Sequence, residues 1–180
     1  MRGIAEEIYR LYELSGADFI AQLKAVTSRA EFHPLEDEPN IFTVGGEISE
    51  DYANLINAAL KAVAHGYRVY ILPNPKKYRT ADFIFVRKGV FKLFELKTIK
   101  GKTSVGTRLM ESIGQTNDVL LNIQSAYDPR LLAKDIQSYF EANKNAREVL
   151  IMKGNKPLSV SRRFVESRTY IKMFMKRYLR

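Results

Sequence analysis

The chain has 180 residues, 46% of them hydrophobic, with 29 Lys and Arg against 20 Asp and Glu and no cysteine. That length suits one domain with at most a small appendage and supports a real core. Disulfides and thiolate metal sites are excluded, no apolar run is long enough to predict a transmembrane helix, and residues 1–7 lack the apolar core of a signal peptide.

The net charge of +9 is unevenly spread. Residues 1–60 carry 4 Lys+Arg against 11 Asp+Glu, a net of −7. Residues 61–150 carry 16 against 8, and residues 151–180 carry 9 against 1, each a net of +8. A basic remainder that concentrates phosphates points to nucleic acid; the plain alternative is a solvated face that keeps the protein in solution.

In chain order, Ile4, Ile8, Leu11 and Tyr12 recur at helical spacing, and Ser15-Gly16 breaks the pattern. A second helix is expected over 17–30. The acidic, proline-bounded stretch His33 to Asn40 reads as a linker, which predicts a helical N-terminal extension at 1–40 and a main domain at 41–180. A helix is expected over 48–64, with Ile48, Tyr52, Leu55, Ala59 and Val63 inward and Gly66 ending it. Strands follow at 67–72, 81–87 and 90–97, then a helix at 107–116 and a strand at 119–123. Asp128-Pro129 opens a helix to about Asn143, 148–152 reads as a strand, and 161–180 as a basic C-terminal helix. Helices interleaved with apolar strands predict a three-layer α/β (α+β) fold, a mixed β-sheet flanked by helices.

Two carboxylates lie within the apolar runs: Asp82 before Phe83-Ile84-Phe85, and Glu95 in Glu95-Leu96-Lys97. Charged residues are rare in such runs unless paired or holding a metal. If Lys88-Gly89 is a two-residue turn, Arg87 pairs with Val90 and Asp82 falls opposite Glu95, with Lys97 on the same face. A three-residue turn would shift the register by one and part the two acids. Opposed carboxylates need compensation, and Mg²⁺ or Mn²⁺ supplies it with oxygen ligands. A buried Asp–Lys or Glu–Lys pair is the structural alternative. His33 and His65 are too isolated to form a zinc site.

Asp82 with its following hydrophobics and Glu95-Leu96-Lys97 resemble the core of PD-(D/E)XK nucleases, with Ala81 in place of the proline usual before the Asp. The resemblance implies a restriction-endonuclease-like core in αβββαβ order over 48–123. It implies that Asp82, Glu95 and the Leu96 carbonyl hold Mg²⁺, Mn²⁺ or another divalent metal, that Lys97 orients water or stabilises charge, and that Gln115 and an acid of the first helix, Glu47 in preference to Glu50, complete the site. Glu47 equally suits a helix N-terminus electrostatically. Ser112 and Gln115, three apart, face one point on a helix.

A narrower resemblance covers roughly residues 42–155: Gly46-Glu47, Lys77 to Phe83, Phe94 to Lys97, Ser112 to Gln115 and Glu148 to Met152 are similar to the C-terminal tRNA-nuclease domain of contact-dependent growth inhibition toxins (CdiA) and related phage-borne domains. It implies a toxin that cuts tRNA in the bacterial cytoplasm, delivered as the C-terminal module of a secreted protein or encoded by a phage element, and held in check by a cognate immunity protein. A DNA endonuclease of the same fold and a non-catalytic nucleic-acid-binding or phage structural module are the competing readings. Lys77, Arg79, Lys100, Lys102, Arg108, Ser112, Arg162 and Arg163 are the candidate nucleic-acid contacts.

Overall fold

The computed structural model describes residues 2–45, 50–74, 80–102, 104–154 and 156–180. Eight strands and seven α-helices stand among them, a mixed α/β architecture. The chain divides into two compact units, Met1–Phe94 and Glu95–Arg180.

The first unit opens with α1 (Ile4–Tyr9), a 3₁₀ turn (Arg10–Tyr12) and α2 (Gly16–Thr27). The segment expected as a linker is instead a small hairpin: β1 (His33–Pro34) pairs antiparallel with β2 (Ile41–Thr43). Its turn is tied by bonds from Leu35 N to Ile41 O and from Ile41 N to Glu38 O. Acidic residues and prolines mark a turn as readily as a linker, and only packing separates the two. Phe32 and Phe42 both lie on Tyr70, with ring centroids 5.3 and 4.8 Å away. Ile8, Leu11, Leu23 and Val26 share one buried cluster with Tyr70, Ile84 and Leu93. The N-terminal helices therefore belong to the core of this unit.

Helix α3 (Tyr52–Ala64) buries Ala58, Ala59 and Ala62. Tyr52, Leu55 and Val63, expected inward, are half-buried, and Ile48 lies outside the described residues. The helix ends as expected at Gly66, whose φ of +83° accompanies bonds from Gly66 N to Val63 O and Tyr67 N to Ala62 O. Strands β3 (Arg68–Ile71) and β4 (Phe83–Arg87) run antiparallel, and β4 forms a hairpin with β5 (Val90–Ile99). Lys88 (φ 50°) and Gly89 (φ 76°) make the expected two-residue turn, with Arg87 opposite Val90. Phe83, Phe85 and Phe94 pack with tilted rings on one face of the hairpin, while Ile84 and Leu93 enter the cluster with α1 and α2 on the other.

The second unit begins within β5. Residues 95–99 pair in parallel with β6 (Asp118–Ile123), β6 pairs in parallel with β7 (Glu148–Lys153), and β8 (Lys156–Ser161) closes antiparallel on β7. All six residues of β6 are buried, as a parallel strand covered on both faces requires. Helices α4 (Val105–Glu111), α5 (Pro129–Ala142), α6 (Arg162–Val165) and α7 (Tyr170–Tyr178) contribute Leu109, Ile136, Val165 and Phe174 to a cluster with Val119, Leu121, Val149 and Ile151. Asp128 caps α5 by accepting from Leu131 N at 2.8 Å, with Pro129 in the first turn. The single basic C-terminal helix expected over 161–180 is two helices, and β8 was not foreseen. Its Lys-Pro-Leu-Ser-Val-Ser composition is that of an edge strand, where proline costs no ladder bond to a further neighbour.

Candidate metal and phosphodiester site

Glu95 and Lys97 lie two residues apart on β5 and so project to one face. The parallel register places Val119 beside Glu95 and Leu121 beside Lys97, both members of the apolar cluster of the second unit. Each charged residue is only 6% exposed, and Lys97 Nζ lies 3.4 Å from Glu95 Oε1. Desolvating such ions costs several kcal/mol each, so neither charge persists here without the other or an equivalent partner. Leu96, opposite Leu120 and also 6% exposed, alternates to the other face.

Asp82, in the first unit, is half-buried just before β4. Its carbonyl accepts from Leu72 N at 2.9 Å, and its amide donates to Phe94 O at 3.0 Å. Ala81 N donates to the Tyr12 hydroxyl at 2.7 Å, so the N-terminal segment clamps the residue just before Asp82. The ladder of the hairpin ends at Phe83 opposite Phe94. Asp82 and Phe83 thus both stand against Phe94, two residues against one as in a β-bulge, and the rung expected between Asp82 and Glu95 is not part of the ladder. Ideal alternation counted from the turn could not anticipate a bulge five residues away.

The other expected site residues divide into three groups. Glu47, Lys77 and Arg79 lie outside the described residues. Lys100, Lys102 and Arg163 are exposed, and Arg108 is half-exposed with Nη1 3.0 Å from Glu111 Oε2. Ser112 and Arg162 are engaged in the fold. Ser112 is fully buried and its hydroxyl donates to Leu109 O at 2.6 Å. Arg162 donates to the carbonyls of Phe140, Asn143 and Ala146 and lies over the Phe140 ring, closing the end of α5. Gln115 is buried as expected of an inward residue, but α4 ends at Glu111. It is carried by a turn in which its amide bonds Ser112 O at 3.0 Å and Gly114 adopts φ 91°, in place of the helix expected there.

A buried polar set at the amino edge of β6 and β7 had no sequence signal beyond acids opening apolar strands. Asp118 and Glu148 are register partners, 5% and 9% exposed. Arg147 Nη2 reaches Asp118 Oδ2 at 2.9 Å, and the Ser159 hydroxyl donates to Glu148. Among the described residues no three His, Cys, Asp or Glu side chains gather closely enough to hold a metal by themselves. None of the described helices is long and apolar enough to cross a membrane. No family model matches the chain, and no match to it was found among curated proteins or solved structures.

Proposed function

We propose that the chain is a metal-dependent nuclease that cleaves phosphodiester bonds, with tRNA as substrate and growth-inhibiting toxicity as its role. The observation that carries this reading is the buried Glu95–Lys97 pair, two residues apart on one face of a strand. It is supported by the order α3-β3-β4-β5-α4-β6, a helix, three antiparallel strands, a helix and a parallel strand, which is the order expected of a restriction-endonuclease-like core.

The donors that the resemblance implies would all be oxygen: the Asp82 and Glu95 carboxylates and the Leu96 carbonyl. Such a set suits Mg²⁺ or Mn²⁺, which take one or two carboxylates and complete the shell with water and phosphate, so a cluster of three acids is not required. The bound ion would polarise the phosphoryl group and acidify its water. Lys97 brings a cation to the face that carries Glu95, where it orients the attacking water or offsets charge developing on the phosphate. Glu47 and Gln115 complete the proposed set, the basic segments hold the substrate, and an immunity protein is the implied partner. A DNA endonuclease is the alternative enzyme. A non-catalytic binding module is favoured by one observation, since Glu95 and Lys97 form an ion pair with each other.

The test is incubation with total tRNA and with plasmid DNA, each with Mg²⁺, Mn²⁺ or EDTA, beside Glu95→Gln. Discrete tRNA cuts that need metal and vanish in the variant are expected. Cuts in DNA alone would move the assignment to the alternative enzyme, and binding without cleavage of either would reduce the pair to a structural one.

A further inference from the structure

In the second unit, the end of β7, the start of β8 and the end of α7 enclose a groove of about 560 Å³. Lys153, Lys156, Arg177 and Arg180 line it, with Leu158 and Tyr178 beneath, and no carboxylate side chain is among the lining residues. Two of the cations lie over rings and a third bonds the last residue of the sequence. Lys153 Nζ lies 4.1 Å from the centroid of Tyr178, the Arg177 guanidinium 4.6 Å from that of Phe164, and Lys156 Nζ donates to Arg180 O. Arg108 and Arg147, by contrast, each have an acid at 3.0 and 2.9 Å. Four cations around one groove, two of them braced by aromatic faces, present a concentrated, partly ordered positive charge.

The groove is also not isolated. Register aligns Ile99, Ile123 and Lys153 across β5, β6 and β7, so the exposed Lys100 and Lys102 follow at the same edge. Two strand spacings, about 10 Å, separate β5 from β7 along this edge. The carboxyl ends of parallel strands are the usual place for a ligand in an α/β sheet.

We propose that this groove, continued by Lys100 and Lys102, is a binding subsite for the phosphodiester backbone of nucleic acid, separate from the Glu95–Lys97 pair. The inference rests on the nuclease reading for its choice of polyanion. Backbone contacts of this kind carry affinity and orientation without reading sequence.

The experiment measures binding of labelled tRNA in EDTA, in the Glu95→Gln background, as a function of salt. Lys156→Glu with Arg177→Glu should weaken binding about tenfold or more and flatten the dependence of log K on log salt by about one to two. Lys156→Gln with Arg177→Gln should weaken it in the same direction and decides the matter if the acidic variant fails to fold. Lys144→Glu, an exposed control in the turn before β7, should leave affinity within about twofold. Equal losses in control and groove variants, or no loss in either, overturn the subsite. So does a wild-type chain that ignores tRNA but binds phosphatidylserine vesicles, which would assign the groove to an anionic membrane surface. The nuclease reading is judged separately, by metal-dependent cutting with the unsubstituted chain, so either can fail alone.

Discussion

Glu95 and Lys97 are each nearly inaccessible to water, and their 3.4 Å ion pair lies beside Val119 and Leu121. Breaking such a pair leaves one charge uncompensated, which costs about 3–5 kcal/mol, whereas removing both charges together is often neutral. Lys97→Met should therefore lower unfolding stability by about 3 kcal/mol, and Glu95→Gln/Lys97→Met should recover most of that loss. Urea denaturation of the two single variants and the double variant checks this; additive losses would mean that the two side chains do not depend on each other. Glu95 and Lys97 were legible from their spacing alone, because residues two apart on a strand share a face. Ser112 and Arg162 were not. Their polar atoms are spent on carbonyls of Leu109, and of Phe140, Asn143 and Ala146, partners that no local pattern announces.

The β4–β5 hairpin is the element whose register matters most to the proposed site. Both turn residues have positive φ, 50° at Lys88 and 76° at Gly89, a backbone that glycine adopts without penalty and a β-branched residue does not. Gly89→Val should cost about 1–2 kcal/mol, the strain of a branched side chain in the left-handed region. If it acts through register, metal-dependent cleavage should fall further than stability does, because a one-residue slip turns Glu95 and Lys97 to the other face. Thermal melts beside cleavage assays separate the two, and a loss of cleavage no greater than the loss of folded protein would show that the turn serves stability alone. The turn chemistry was readable in Lys88-Gly89. The two-against-one arrangement of Asp82 and Phe83 opposite Phe94 was not, because it depends on where Leu72 and Tyr12 hold the incoming segment.

For the molecule as a whole, the second unit concentrates buried tyrosines. Burial pushes the hydroxyls of Tyr170 and Tyr178 above the ordinary tyrosine range. It does the same for Tyr139, against the opposing pull of hydrogen bonds with Ser112 and Asn143, and for Tyr127, where Asp135 adds to it. In each case the folded state holds the proton more tightly than the unfolded chain, whose tyrosines titrate near about pH 10. Their contribution to stability is thus complete below about pH 10 and is lost as pH rises above it towards the folded values. Alkaline titration followed at the tyrosinate absorbance and by circular dichroism should show delayed ionisation of these four residues together with loss of structure. Ionisation near pH 10 with the fold intact would contradict it.

Alternation, turn residues and capping chemistry act over a few residues, and the sequence by itself determined what depends on them: the α3 stop at Gly66, the Lys88-Gly89 hairpin, the Asp128-Pro129 start of α5, the buried strand at β6, and the common face of Glu95 and Lys97. The tertiary structure alone decided what depends on distant partners. It drew the N-terminal helices into a core with Tyr70 and Leu93, made a hairpin of the acidic stretch at 33–43, recruited Lys156–Ser161 as an edge strand, and gathered Lys153, Lys156, Arg177 and Arg180 around one groove. Burial and pairing are decided by what covers a face, and the covering elements are separated in the chain by tens of residues, beyond the reach of any local period.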